Sequence, residues 1–313
     1  MTLAARPPRP GDAAAVAALV NAYDAAHGGD GAWTVADVED EWRTASAEPA
    51  DVWLVERDGQ LAGHATLRGT GGGRLQALGW THPAHAGRGV GSMLVDITEQ
   101  RAVELAGGAV VRNSVLAADR SSCRLLEGRG YVAASQHLRM RVDLDAPPPP
   151  LAPPPGIAIA SFRPGVDDAE VDACVEEAFG RRSWHQAERR QAKMAEERFN
   201  PGVWMVAREG GNVCGVALCT PQTFGMGYVD VLAVRARWRG RGIGAALLNE
   251  GLRRLRAAGE RSVGLGVDGD NAVAIRLYER AGMEVAWAAV QYERAVGEAR
   301  ADTGDRSSAR VRD

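Results

Sequence analysis

Residues 239–244 read Arg-Gly-Arg-Gly-Ile-Gly, set directly between an apolar run, Val229 to Val234, and a helix-like run, Ala245 to Ala258. Glycines let the backbone turn tightly and bring its N–H groups close to an anion. The first turn of the helix that follows adds unpaired donors and the positive end of its dipole. The chemistry implied is a grip on a phosphate or diphosphate, and the alternative is an ordinary strand-to-helix turn. Further on, Asn271, Ala274, Leu277, Tyr278 and Gly282 keep a helical spacing that stops at the glycine. Asn271 suits a helix cap and Gly282 the turn that ends the helix. Tyr278 is the acidic proton donor of that set, a candidate general acid whose alternative is core packing. Asp230, on the strand before the glycine loop, shares one face with Leu232 and Val234. It is a candidate base, or else an exposed structural carboxylate.

The elements that must position these residues occur twice. Arg9-Pro10-Gly11-Asp12 is matched by Arg163-Pro164-Gly165-Val166-Asp167, and Val52-Trp53-Leu54-Val55 with Asp58-Gly59 by Val203-Trp204-Met205-Val206 with Gly210-Gly211. Gly87-Arg88-Gly89-Val90-Gly91 is matched by Gly240-Arg241-Gly242-Ile243-Gly244, and Gly128-Arg129-Gly130-Tyr131 by Arg280-Ala281-Gly282-Met283. Four colinear matches at near-constant separation indicate an internal duplication. Alternating apolar residues around the Gly-containing turns predict hairpins. Each half therefore reads as strand, one or two helices, a three-stranded meander, the glycine loop and a long helix, a strand, a short helix and a closing strand. Residues 143–156, rich in proline, form a stiff extended spacer that cannot join a sheet interior. The domains expected are 1–142 and 157–296, with residues 297–313, which lack apolar periodicity, expected to be disordered.

With the glycine loop, the Asn271-to-Gly282 spacing and the duplication in place, the chain resembles the GNAT acyltransferases, which move an acyl group from acyl-CoA to an amine. Within that superfamily it is similar to the tandem, two-domain type to which mycothiol synthase belongs. The resemblance implies an α/β (α+β) fold class: two tandem GNAT folds, each a mixed, mostly antiparallel central sheet flanked by helices. It also implies acetyl-CoA as co-substrate, no metal, and a small-molecule amine as acceptor. The residues it marks for the coenzyme are Leu232, Ala233 and Val234, whose main chain would hold the pantetheine and thioester carbonyl. Arg239, Gly240, Arg241, Gly242, Ile243, Gly244 and Ala245 would take the pyrophosphate, and Asn271 would contact the pantetheine arm. Counterparts in the first half are Thr81, Gly87, Arg88, Gly89, Val90 and Gly91. Tyr278 would lie beside the CoA sulfur and protonate the departing thiolate.

Two departures qualify the resemblance. Aligning Gly130 with Gly282 puts Asp119 at the Asn271 position and Leu126 at the Tyr278 position, and leucine gives no proton. The chemistry is therefore expected in the second half. Mycothiol synthases also carry a glutamate on the strand of Asp230, aligned nearer Tyr228, so the match to their base is approximate. Residues 179–204, with Arg181, Arg182, Trp184, His185, Glu188, Arg189 and Arg190, fall where tandem members build part of the acceptor pocket, or else form a solvated helix. The expected function is N-acetylation of a small-molecule amine, with mycothiol synthesis proper and a non-catalytic acyl-CoA sensor as alternatives.

Composition narrows the field. At 313 residues the chain accommodates two domains. Hydrophobic residues at 45% and charged residues at 25% are ordinary globular values, which excludes wholesale disorder. No apolar run approaches the roughly 20 residues of a bilayer span. The start of the chain lacks the pattern of a secretory signal, so a cytoplasmic protein is expected. A formal net charge of −3 excludes general nucleic-acid affinity. Cys123, Cys174, Cys214 and Cys219 form no CxxC pair, and buried free thiols are expected.

Overall fold

The computed structural model describes residues 2–45, 51–180, 190–191, 193–195, 199–223 and 225–297. The first half runs β1 (Leu3–Arg6), α1 (Asp12–His27), α2 (Val35–Ala45), β2 (Val52–Arg57), β3 (Gln60–Gly71), β4 (Arg74–Thr81), α3 (Val90–Leu105), β5 (Val110–Leu116), α4 (Arg120–Gly128) and β6 (Val132–Asp143). The second runs β7 (Ile157–Ser161), α5 (Asp168–Phe179), β8 (Trp204–Glu209), β9 (Asn212–Thr223), β10 (Met226–Val234), α6 (Ile243–Ala257), β11 (Ser262–Asp268), α7 (Ala272–Arg280) and β12 (Glu284–Ala295). This is the element order expected, given twice.

The sequence matches have local physical causes. Asp12 accepts a hydrogen bond from the Arg9 main chain at 2.6 Å, and Asp167 does the same for Arg163 at 2.9 Å, so each carboxylate fixes the turn that starts the first helix of its half. Asp58 and Gly59 have φ of 51° and 81°, and Gly210 and Gly211 of 54° and 87°. Two consecutive residues with positive φ make the tight turn whose twist matches antiparallel strands, and they close the β2–β3 and β8–β9 hairpins.

Among the described residues the strands join one sheet of twelve, in the order β1-β2-β3-β4-β5-β12-β6-β11-β10-β9-β8-β7, in which only β4–β5 and β10–β11 pair in parallel. The closing strands are exchanged. β6 pairs with β11 of the second half and β12 with β5 of the first, while β6 and β12 pair with each other at the centre. The cores follow the exchange: Met140 and Leu144 are buried in the core of the second half, and Tyr292 and Val296 in a core of the first.

The exchange explains the proline-rich segment. β6 ends beside β11, whereas β7 lies five strands away at the sheet edge. Five strand spacings are roughly 24 Å, and residues 144–156 in an extended polyproline conformation reach roughly 40 Å. The segment joins no strand and is tied down along α6. The Leu151 main chain donates to Asn249 Oδ1 at 3.0 Å, and Asn249 Nδ2 donates to the Pro149 carbonyl at 3.0 Å.

All four cysteines are buried free thiols. Burial raises the pKa of Cys174 to about 11 and that of Cys219 further, so neither is a ready nucleophile. The tail from residue 298 lies outside the described residues.

Candidate active site

The parallel pairing of β10 with β11 covers only Gly227↔Val263, Tyr228↔Gly264 and Val229↔Leu265. Beyond Val229 the strands part. The parting coincides with a β-bulge on the other edge of β10, where Val229 and Val231 oppose the consecutive residues Cys219 and Leu218, leaving Asp230 as the extra residue. Leu232 and Val234, half-buried, and Ala233, buried, therefore present strand edge to a cleft rather than to β11. β4 and β5 part likewise after Ala77↔Asn113, but that stretch of β4 pairs with β3 without a bulge.

At the head of the second cleft the glycine loop delivers α6. Gly240 and Gly242 have φ of 76° and 84°, conformations that a side chain would strain. Gly242 is the helix cap and makes no side-chain cap bond. The first main-chain bond into the helix runs from Ala246 N–H to the Gly242 carbonyl, so the N–H groups of Ile243, Gly244 and Ala245 find no acceptor within the helix. A Cβ at Gly244 would stand 3.5 Å from Leu277 and 3.7 Å from Val234, filling the place where α6, α7 and β10 converge. Donors at a helix start, an open strand edge and a glycine cradle suit the diphosphate and amide-bearing arm of a coenzyme.

The arginine side chains of the loop bind protein. Arg239 Nε donates to the Val234 carbonyl at 3.0 Å, and Arg241 pairs with Glu209 at 2.6 Å, which also accepts from Trp238 Nε1 at 2.7 Å. Ile243 is buried in the core. Asn271 caps α7 by accepting from the Ala274 main chain at 3.2 Å. Tyr278 is 8% exposed, and burial followed by the neighbouring Tyr228 raises its pKa to about 12. It keeps its proton at neutral pH, as an acid awaiting a thiolate must.

Asp230 is engaged at both oxygens. Lys193 Nζ approaches Oδ1 at 2.6 Å, Thr220 donates to Oδ2 at 2.6 Å, and Lys193 also donates to Thr220 at 3.0 Å. Taking a proton from an amine would require breaking this group apart. Neither Lys193 nor Thr220 was marked by sequence pattern. Of the acceptor-side residues expected, Arg181, Arg182, Trp184, His185, Glu188 and Arg189 lie outside the described residues. Arg190 is committed to ion pairs with Asp168 and Asp172.

The first half keeps the cradle. Gly87 and Gly89 have φ of 70° and 85°, Gly89 caps α3 without a side-chain bond, and a Cβ at Gly91 would meet Leu125 at 3.3 Å and Thr81 at 3.6 Å. Arg88 is exposed and Val90 is buried. A cavity of about 250 Å³ opens beside this loop, lined by Tyr23, His27, Thr81 and Asp119 among others. Asp119 caps α4 through the Ser122 main chain at 3.0 Å, as Asn271 caps α7. Leu126 is buried where the second half has Tyr278.

Residues of the first half also reach the second cleft through β6. Arg139 stacks over the rings of Tyr228 and Trp287 at 4.7 and 5.0 Å and pairs with Asp30 at 3.0 Å. Asp30 also accepts from Trp287 Nε1 at 2.9 Å. Among the described residues no group of three or more His, Cys, Asp or Glu could hold a metal ion, and no helix is long and apolar enough to cross a membrane.

Comparison with known proteins agrees with this geometry. The model of the Acetyltransferase (GNAT) family matches twice, over residues 16–131 and 170–283. A mycothiol acetyltransferase of Geodermatophilus obscurus is 33% identical over 297 residues, covering 88% of this chain and 94% of the relative. One of Kineococcus radiotolerans is 33% identical over 300 residues, covering 91% and 94%. Among solved structures, a GCN5-related N-acetyltransferase from Sphaerobacter thermophilus superposes with a TM-score of 0.81 at 34% identity, covering 94% of this chain and 95% of that one. A tandem GNAT protein from the clavulanic acid biosynthesis pathway superposes with a TM-score of 0.74 at 19% identity, covering 95% and 100%, a likeness of fold. The chain belongs to the GNAT acetyltransferase family and carries the family's domain twice.

Proposed function

We propose that this enzyme transfers acetyl from acetyl-CoA to a primary amine of a small molecule, with the chemistry in the second half. What supports this reading is the bulge and parting of β10, the start of α6 without a side-chain cap, and the contact of Gly244 on α6 with Leu277, the residue before the buried, protonated Tyr278. The first cleft has the cradle but no bulge, and it has Leu126 at the position that corresponds to Tyr278. The amides of Ile243 to Ala245 take the diphosphate, and the Leu232–Val234 edge holds the pantetheine arm. A neutral amine attacks the thioester carbonyl directly, the carbon–sulfur bond breaks, and Tyr278 gives its proton to the departing sulfur. Preset main-chain donors support the oxyanion because they need no rearrangement as charge develops. The cradle of the first half also fits a coenzyme, there with Leu126 at the position that corresponds to Tyr278.

The test is thiol release from acetyl-CoA against a panel of amines, amino acids, aminoglycosides and thiol conjugates, comparing wild type with Tyr278→Phe. Turnover is expected to fall on the order of a hundredfold with acetyl-CoA affinity nearly intact. Unchanged turnover removes Tyr278 from the mechanism. A narrower reading has a specific support: both relatives above are mycothiol acetyltransferases matched over nearly their whole length. In that reading the acceptor is the cysteinyl amine of a cysteinyl-glucosaminyl-inositol, and turnover of that compound above the rest of the panel decides for it.

A further inference from the structure

We infer that His137, carried into the second cleft on the exchanged strand β6, is the base that removes the proton from the acceptor's ammonium group. The inference deepens the reading of the second half as the catalytic one and rests on it.

Three observations converge. The parallel ladder ends at Val229↔Leu265, so Gly266 is the first residue of β11 at the apex of the parting strands. A Cβ built at Gly266 would lie 2.5 Å from His137 Nε2 and 3.1 Å from the Tyr228 hydroxyl. The space a side chain would take at the apex is thus occupied by an imidazole nitrogen and a phenol. Tyr228 in turn helps to raise the pKa of Tyr278. On the far side of the imidazole, Nδ1 stands 3.6 Å from Asp268 Oδ1, too long for a hydrogen bond. His137 is 40% exposed, so the proton has a route to water. The groups facing it are Asp268 on β11, Tyr228 on β10 and Arg139 on its own strand, the last already paired with Asp30.

The contrast with Asp230 favours the histidine, since the carboxylate is bound at both oxygens by Lys193 and Thr220. The proton balance closes. His137 Nε2 takes one proton from R–NH3⁺ and passes it to water. The amine nitrogen forms its bond to the carbonyl carbon, and the C–S bond breaks with the Tyr278 proton going to sulfur. The second proton on the new amide nitrogen returns to the Tyr278 phenolate. The net products are amide, CoA thiol and one proton.

The experiment compares wild type, His137→Gln and Asp268→Asn in the full chain. The first measurement is kcat/KM from pH 5.5 to 9.5 with the cysteinyl-glucosaminyl-inositol amine as probe, or otherwise the panel amine turned over best. His137→Gln is expected to lower kcat/KM on the order of a hundredfold and to abolish its acidic limb, with acetyl-CoA affinity by calorimetry and melting temperature unchanged. Asp268→Asn, which removes an exposed carboxylate that is not hydrogen-bonded to the ring, keeps the limb. A limb that persists in His137→Gln at wild-type height overturns the assignment. The second measurement needs no acceptor: the ring-proton NMR signal of His137, assigned by its loss in the Gln variant, shifts when acetyl-CoA is added. No shift under saturating acetyl-CoA overturns the placement at the apex. Failure of the underlying reading looks different, since wild-type turnover would then survive Gly244→Val and collapse in Gly91→Val, whatever His137→Gln does.

Discussion

The duplicated cradle allows the two clefts to be told apart with one matched pair of substitutions, Gly244→Val and Gly91→Val. At Gly244 a Cβ falls 3.5 Å from Leu277 and 3.7 Å from Val234, and at Gly91 3.3 Å from Leu125 and 3.6 Å from Thr81. The Cβ itself makes ordinary contacts at Gly244 and is tight against Leu125 at Gly91, and in each case the two further methyls of valine must displace the neighbours or enter the cleft. Overpacking of this kind costs about 1–3 kcal/mol. Expressed as lost coenzyme affinity at about 1.4 kcal/mol per decade, that is roughly 5- to 150-fold. Calorimetric titration with acetyl-CoA and thiol-release turnover are read side by side, with a thermal melt to separate lost affinity from lost fold. Gly244→Val is expected to weaken coupled binding and cut kcat/KM by that factor. Gly91→Val leaves turnover intact, whether or not a second binding event disappears from the titration. Turnover that survives Gly244→Val and collapses in Gly91→Val refutes the assignment of chemistry to the second half.

Further outcomes follow from the same geometry. Met140 is fully buried in the second half's core although it belongs to the first half's closing strand; Met140→Ala should therefore cost about 2–5 kcal/mol and lower one shared melting transition, and two transitions moving independently would contradict an exchanged sheet. Asp230→Asn breaks a charged hydrogen-bonded group with Lys193 and Thr220, so a loss of about 1.5–3 kcal/mol in denaturant unfolding is expected, with the pH profile of turnover unchanged; a vanished acidic limb would restore Asp230 as base. Burial and the adjacent Tyr228 raise Tyr278 to about 12, so its protonated form is favoured by folding. The stability it contributes is complete below the unfolded tyrosine's pKa and is lost as pH rises through about 10 to 12. Turnover should accordingly show no basic limb below pH 9 that Tyr278→Phe removes, and such a limb would contradict the burial.

What could be read in the chain was local. The Gly-containing turns at Asp58-Gly59 and Gly210-Gly211 and the glycine loops before α3 and α6 are encoded within a few residues, and each turn stands where the pattern put it, whereas the role of Asp12 and Asp167 at the helix starts was visible only as a repeat. The contrast of Leu126 with Tyr278 was legible for the same reason, because both fall at one offset in a short capped helix. The partners of β6 and β12 were not. A closing strand is apolar whichever half it joins, and exchange preserves its pattern while changing every long-range contact. With it went the sight of Arg139 and His137, which come beside Tyr228 because β6 crosses over, and of Asp30 and Trp287, which meet Arg139 there. Asp230 was visible as a carboxylate, but its ties to Lys193 and Thr220 depend on a bulge and on contacts 37 and 10 residues away in the chain. Asn271 keeps its capping bond, and that bond explains its residue type whether or not it also meets the pantetheine arm.

The most direct measurement of the central claim is amide hydrogen exchange on the full chain with and without saturating acetyl-CoA. The account predicts slowed exchange at Ile243, Gly244 and Ala245 together with the Leu232–Val234 edge, requiring more acetyl-CoA in Gly244→Val. Turnover proceeding while those amides exchange as freely as in the unliganded protein would contradict it.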